Sequence, residues 1–195
     1  TEEAQNLFKK AIEIDPNNLS ANFNIVEYKY NGAPTAFSLR NDIEFYKSFN
    51  KDASDLINKF PDNIRVLSRM ALLYRNSMID EDESRYEKSL DLYKRALDIA
   101  NESGSSVKVK ITRDIGDLYV MSGQNSDGVN SIKQAIDISQ DNNQIISNNF
   151  ALFNAYIYIG DYLNAVKSID NFLRSINGYG FTEEEKLQCL VGGNY

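Results

Sequence analysis

The sequence predicts an all-α fold of antiparallel helix pairs, with about ten helices in total. The first observation is composition, because the chain holds only three prolines and is rich in residues with high helix propensity such as Leu, Ala, Lys and Glu. The second is periodicity, since apolar residues recur at spacings of three and four, which places them on one helical face. Hydrophobic residues make up 42% of the chain, which is enough to form a core.

The stretch from Val109 to Asp141 contains one complete helix pair and the turn that joins its helices. Two groups of residues at helical spacing define the two helices: Ile115, Gly116 and Tyr119 in the first, and Gly128, Ile132 and Ala135 in the second. Gly123 stands between them, where the chain must turn back with a positive φ. We expect the two helices to come closest at the small residues Gly116, Gly128 and Ala135.

This pattern of small and aromatic residues resembles the tetratricopeptide repeat (TPR), a helix-turn-helix unit of about 34 residues. The resemblance is strong in four ranges: 2–18, 64–76, 84–100 and 109–176. It implies that the helix pairs stack into a right-handed superhelical solenoid whose first helices line a concave groove. It also implies that the chain is a scaffold for binding other proteins.

Residues 1–18 have the pattern of the second helix of a repeat without its first helix, and Pro16 marks the end of that helix. We therefore expect this chain to be part of a longer protein with further repeats upstream. The alternative is a mature N-terminus with a lone capping helix. Residues 19–63 form a divergent repeat, with a first helix from Leu19 to Tyr30 and an extended second helix of about five or six turns that ends at Phe60.

Three plainer repeats follow at 64–108, 109–145 and 146–178, so that residues 1–195 form a single predicted array. A capping box, Ser84 to Glu87, opens the second helix of the first of these repeats. The acidic turn before it, Asp80 to Glu83, offers oxygen ligands for calcium but lacks the spacing and the glycine of an EF-hand loop, so a solvated turn is favoured. Residues 179–195 are predicted to form a C-terminal capping helix.

The residue types argue against catalysis. The chain has no histidine and a single cysteine, Cys189, which removes the Ser-His and Cys-His nucleophile pairs and the usual zinc sites. We therefore predict a protein that is not an enzyme and that has no cofactor and no metal. Cys189 is interpreted as a packing residue of the cap, and a lone cysteine leaves the cellular compartment undecided.

The charge balance limits the partners. A net charge of −7 repels the phosphate backbone, which argues against nucleic acid. No apolar run approaches the roughly 20 residues needed to span a bilayer, which argues against membrane insertion. The predicted partner is a protein or a peptide.

In the solenoids that this chain resembles, residues of the first helices that point away from the packing face reach the ligand. Seven such residues are predicted to line the groove here: Arg65, Arg69, Arg75, Lys110, Arg113, Asn154 and Tyr158. Guanidinium groups suit carboxylates, so we expect an acidic peptide or a C-terminal carboxylate as the ligand. In the alternative interpretation, Arg113 pairs with Asp117 one turn further along the helix and the other cations are solvated.

Two further functions stay open at this point. The helix at 2–14 has an uncovered apolar face, which together with the C-terminal cap could mediate self-assembly. The chain could also be the accessory region of an enzyme whose catalytic domain lies outside these residues.

Overall fold

The computed structural model describes residues 2–31, 43–76, 84–177 and 182, and within those residues it contains nine α-helices and no strand. The helices are α1 Glu2–Ile14, α2 Leu19–Asn31, α3 Ile43–Lys59, α4 Ile64–Asn76, α5 Ser84–Glu102, α6 Val107–Met121, α7 Asn125–Asp137, α8 Asn142–Ile159 and α9 Tyr162–Asn177. The all-α helical-repeat fold that the sequence predicts is confirmed. The chain divides into two compact units, residues 1–99 and 100–195.

In the first unit, α2 contacts α1, α3 and α4, and α3 also contacts α4. The turn between α1 and α2 and the turn between α3 and α4 have a common design, because a proline ends the preceding segment and an asparagine caps the next helix. The Oδ1 atom of Asn18 accepts from the Ala21 amide at 2.9 Å, and that of Asn63 accepts from the Val66 amide at 3.1 Å. The first helix of the divergent repeat is confirmed at Leu19–Asn31, and α3 accounts for the described part of its long second helix.

The core of the first unit is aromatic. The Phe49 ring lies 5.1 Å from the Tyr30 ring and 4.8 Å from the Tyr74 ring, measured between centroids. At the edge of this cluster the Tyr30 hydroxyl donates to Asp52 Oδ2 at 2.6 Å, and Lys29 Nζ lies 2.7 Å from the same oxygen. Burial and the bond to Asp52 raise the pKa of the Tyr30 phenol above its usual value. The contact joins α2 to α3.

In the second unit, α6 packs against α7, α8 packs against both, and α9 packs against α8. Gly123 between α6 and α7 has a φ of 82°, as the sequence predicts for this turn, and Gly160 between α8 and α9 has a φ of 79°. The core contains Val120 and Ile132 from the first pair and Leu152, Tyr156 and Ala165 from the second. This packing places the first helices α6 and α8 side by side.

The close approach of α6 and α7 depends on two glycines. A Cβ atom on Gly116 would lie 2.6 Å from Ile132 Cγ1 and 2.8 Å from the Gly128 carbonyl oxygen. A Cβ atom on Gly128 would lie 2.8 Å from the Gly116 carbonyl oxygen. The expected close approach is therefore confirmed at the two glycines, and Ala135, the third small residue expected there, is fully buried.

The expected C-terminal cap at 179–195, the acidic turn at Asp80 to Glu83 and Cys189 lie outside the described residues. The boundaries predicted for the individual repeats, and the single array that contains them, stay predictions.

Gly116→Ala is expected to destabilise the protein by about 1–3 kcal/mol, because the added methyl group must displace the backbone of α7. The sign of the change in the free energy of unfolding is informative, since a Gly→Ala change in an open helix stabilises the helix by roughly 0.5–1 kcal/mol. Urea unfolding of the whole chain measures the difference. Gln134→Ala, at an exposed position of α7, serves as the control and should change the free energy of unfolding by less than about 0.5 kcal/mol. A stabilised Gly116→Ala protein would contradict the close approach.

Candidate functional site

Two of the predicted groove cations, Lys110 and Arg113, lie near the start of α6 and share one carboxylate. Lys110 Nζ is 2.6 Å from Asp114 Oδ2, and Arg113 Nη2 is 3.0 Å from Asp114 Oδ1. Asp114 is only 4% exposed, so its charge is compensated by these two cations rather than by water. The three groups together carry one net positive charge.

Arg113 also connects the two first helices of the second unit. Its Nη1 atom donates to Ser147 Oγ of α8 at 2.7 Å. Its guanidinium group is therefore held between the buried carboxylate of its own helix and the hydroxyl of the next first helix. Such a planar group, bonded on two sides, is fixed in orientation, because each bond restricts its rotamers.

A cleft of about 410 Å³ lies between α6 and α8, and we call it the α6–α8 cleft. Its lining residues come from the first two turns of both helices and from the residues before them: Ser106, Val107, Val109, Lys110, Arg113, Asp141, Asn143, Gln144, Ser147 and Asn148. The side chains around it can donate and accept hydrogen bonds in several directions, since amide groups do both. The cleft thus has the chemistry needed to bind peptide groups and carboxylates.

The start of α8 is fixed by its own capping bonds. Asp141 Oδ1 accepts from the Gln144 amide at 2.9 Å, and Gln144 Oε1 accepts from the Gln140 amide at 2.8 Å. Asn148 is buried and its Nδ2 atom donates to the Ala135 carbonyl at 3.2 Å and to Ser139 Oγ at 3.0 Å. The capping bonds set where α8 begins, and the Asn148 bonds hold α8 against the end of α7.

The other two predicted groove residues of the second unit, Asn154 and Tyr158, are both exposed on α8. They lie further along the helix than the α6–α8 cleft and share its side of the helix with Ser147, because their spacings of seven and eleven residues return to that face. Phe150 lies between them and the cleft, and its ring is 5.4 Å from that of Phe172 in α9.

In the first unit, the three predicted groove arginines all lie on α4. Arg69 Nη2 is 2.6 Å from Glu27 Oε1 of α2, and the Arg65 guanidinium lies 4.2 Å from the centre of the Phe23 ring, also on α2. Arg75 Nε donates to Asn76 Oδ1 at 3.3 Å. Arg65 and Arg69 therefore join adjacent first helices, because each contacts a side chain of α2.

Sequence reasoning missed the acceptors of these cations. The pairing of Lys110 with Asp114 has a readable signal, the spacing of four residues on one helix. The pairing of Arg113 with Asp114 joins sequence neighbours, which periodicity does not predict. The alternative interpretation pairs Arg113 with Asp117 and leaves the other cations solvated, but Arg69 pairs with Glu27 and Lys110 with Asp114. That all five cations share one surface stays a prediction.

Two negative findings apply to the described part of the chain. Among its residues, no three His, Cys, Asp or Glu side chains come together as they would around a metal ion. None of its helices is long and apolar enough to cross a bilayer.

A family model described as tetratricopeptide repeat matches residues 1–18. Comparison with curated protein sequences gives no significant match. Among solved structures, the chain is similar to TTC0263, a thermophilic TPR protein of Thermus thermophilus, with a TM-score of 0.65 and 14% identity over 96% of this chain and 87% of the other. It is also similar to pilF of Pseudomonas aeruginosa, with a TM-score of 0.59 and 16% identity over 98% and 76%.

A third solved structure, BtubC from P. vanneervenii, has a TM-score of 0.52 and 11% identity, over 93% of this chain and 91% of the other. Because all three identities are low, the likeness shows the fold alone. The chain has the helical-repeat fold of tetratricopeptide-repeat proteins, and this fold generally mediates protein–protein interaction.

Asp114→Asn is expected to lower the free energy of unfolding by about 1–3 kcal/mol, because it leaves a neutral amide beside Lys110 and Arg113 and removes the ion pairs with both cations. Urea unfolding measures this loss. Asp137→Asn, which neutralises an exposed carboxylate on α7, is the matched control and should change stability by less than about 0.5 kcal/mol. Equal effects of the two variants would show that the Asp114 carboxylate does not hold the cations.

Proposed function

We propose that this chain is a non-catalytic scaffold that binds a segment of another protein along the first helices of its repeats. The observation that carries the proposal is the α6–α8 cleft, where the cations Lys110 and Arg113 lie beside the amide and hydroxyl groups of α8. Asp114, which pairs with both cations, and Asp141, which also lines the cleft, balance their charge, so Lys110 and Arg113 act as local anion-binding groups. The repeat fold supports it, since stacked helix pairs expose an extended surface for ligands.

An acidic segment fits this chemistry best. Lys110 is the more accessible of the two cations, with 58% of its side chain exposed, so it can turn from Asp114 toward a ligand carboxylate. Arg113 is held by Asp114 and Ser147 and offers its remaining N–H groups in a fixed orientation. Asn143 and Gln144 provide amides for the peptide backbone of the ligand.

The arginines of the first unit have the same proposed role. Arg65, Arg69 and Arg75 are on α4, a first helix of that unit, and we propose that they bind acidic groups there. Their contacts with Phe23, Glu27 and Asn76 restrict their side chains, which lowers the entropy lost when a ligand binds.

The absence of a catalytic role is part of the proposal. The sequence has no histidine, and Asp114, the buried carboxylate next to the cleft cations, already has two cationic partners. A carboxylate held in this way is a structural counter-charge rather than a general base, because a base must accept a proton from the substrate. No cofactor or metal is proposed.

Lys110→Gln is expected to weaken binding of acidic peptides about fivefold to tenfold, because one charge-assisted contact is lost. The ligands are acidic peptides of about 12 residues, long enough to follow α8 from end to end, selected from a random display library on the wild-type chain. Fluorescence anisotropy gives their affinities. Lys133→Gln, on the second helix α7, changes the net charge equally and should have little effect. Failure to select any peptide, or equal losses in both variants, would contradict the proposed groove.

Self-association through α1 is a second candidate function, and the exposure of that helix favours it. Leu7 is 60% exposed, and none of the α1 residues whose burial the structure describes is buried. An apolar helix face left open in this way is a common site of association between copies.

If the chain self-associates through α1, we expect the wild-type chain to dimerise as its concentration rises. The Leu7→Ser variant should stay monomeric, since serine removes the apolar contact. Light scattering over a range of concentrations compares the wild-type chain with Leu7→Ser. Lys10→Ser, at another exposed position of the same helix, is the control. A wild-type chain that stays monomeric throughout would eliminate the candidate.

A further inference from the structure

Helix α8 has no charged residue along its whole length. Its sequence, NNQIISNNFALFNAYIYI, runs from Asn142 to Ile159, whereas 25% of the residues of the entire chain are charged. Burial does not account for this, because many of its residues are exposed. A solvated helix face normally carries charges, so their absence needs a physical reason.

Six of the seven exposed residues of α8, all except Asn142, form one continuous stripe, which we call the α8 face: Asn143, Ser147, Phe150, Asn154, Ile157 and Tyr158. Spacings of three, four and seven place them on one side of the helix. Phe150 is 46% exposed, Ile157 41% and Tyr158 67%. The end of the stripe toward Asn143 borders the α6–α8 cleft, and the other end is apolar and aromatic.

This composition is that of an interface core with a charged rim. The centres of protein interfaces lack charges and are enriched in aromatic residues, whereas charged groups surround them. On α8 the exposed aromatic residues lie along the uncharged stripe, and the charged residues Lys110, Arg113 and Asp141 lie at one end of it. Tyrosine provides a large contact area at a low cost in conformational entropy.

We propose that the α8 face selects the sequence of the bound segment, which carries a bulky apolar side chain about five residues from an acidic one. This inference rests on the proposed function and specifies its ligand. The acidic residue binds at Lys110 and Arg113, and the apolar side chain packs against Phe150, Ile157 and Tyr158. From Ser147 to Tyr158 the helix rises about 16 Å, at roughly 1.5 Å per residue. An extended peptide covers that distance in about five residues, at roughly 3.3 Å each.

Selection from the same random display library on the whole wild-type chain tests the inference. We expect the enriched peptides to share an acidic residue and an aromatic or large aliphatic residue about four to six positions apart, in one fixed order. Tyr158→Ser should weaken the binding of these peptides about tenfold, since tyrosines that become buried in an interface are frequent hot spots. Leu163→Ser is the control, because Leu163 is 68% exposed but lies on α9, and it should leave the affinity nearly unchanged. Circular dichroism confirms that both variants fold.

The possible failures are distinguishable. Enriched peptides with acidic residues and no apolar one would overturn this inference and leave the acidic groove standing. If Tyr158→Ser and Leu163→Ser weaken peptide binding equally, the α8 face is not the apolar subsite. If no peptide is enriched, the proposed function fails together with the inference. A wild-type chain that dimerises while Tyr158→Ser stays monomeric would assign the α8 face to a second copy instead.

Discussion

The approach of α6 and α7 at Gly116 and Gly128 is the constraint on which the second unit depends. Neither position has room for a Cβ atom, because the carbonyl oxygen of one glycine would lie 2.8 Å from a Cβ on the other. The glycine contact fixes the position of α7. Asn148 of α8 bonds to Ala135 and Ser139 near the end of α7, and this contact positions α8. A side chain at either glycine would therefore move both helices that line the α6–α8 cleft.

The cations of the first helices have two roles. Arg69 bonds to Glu27, and Arg113 bonds to Asp114 and Ser147, so each fixes its own helix or an adjacent one before any ligand is present. Neutralisation by Asp114 and Glu27 also limits the positive charge of these helices. In a chain of net charge −7, such a surface attracts anionic groups only at short range, where geometry matters. Selectivity then depends on the uncharged α8 face as much as on charge.

Periodicity predicts the parts of this fold that are local in sequence. The turn at Gly123, the contact of Gly116 with Gly128 and the helix that begins at Leu19 could all be predicted, because small residues, prolines and apolar spacings determine them within one helix pair. The exposure of Asn154 and Tyr158 on α8 also agrees with the pattern. The ion pair of Glu27 with Arg69 and the bond of Arg113 to Ser147 could not be predicted in this way, since they join different helix pairs and depend on how neighbouring pairs stack. The absence of charge from α8 is readable in the sequence, but it acquires meaning only once the structure shows that the stripe is exposed.

The most direct test of binding along the first helices is an NMR titration of the ¹⁵N-labelled chain, whose mass is 22.2 kDa, with a peptide selected by binding to it. Amide signals in the first half of α6 and along the α8 face should move together and in proportion to occupancy, because one ligand contacts both. Signals of α7 and α9, the second helices, should stay in place. Largest shifts on α7 and α9, with α6 and α8 unchanged, would contradict binding along the first helices.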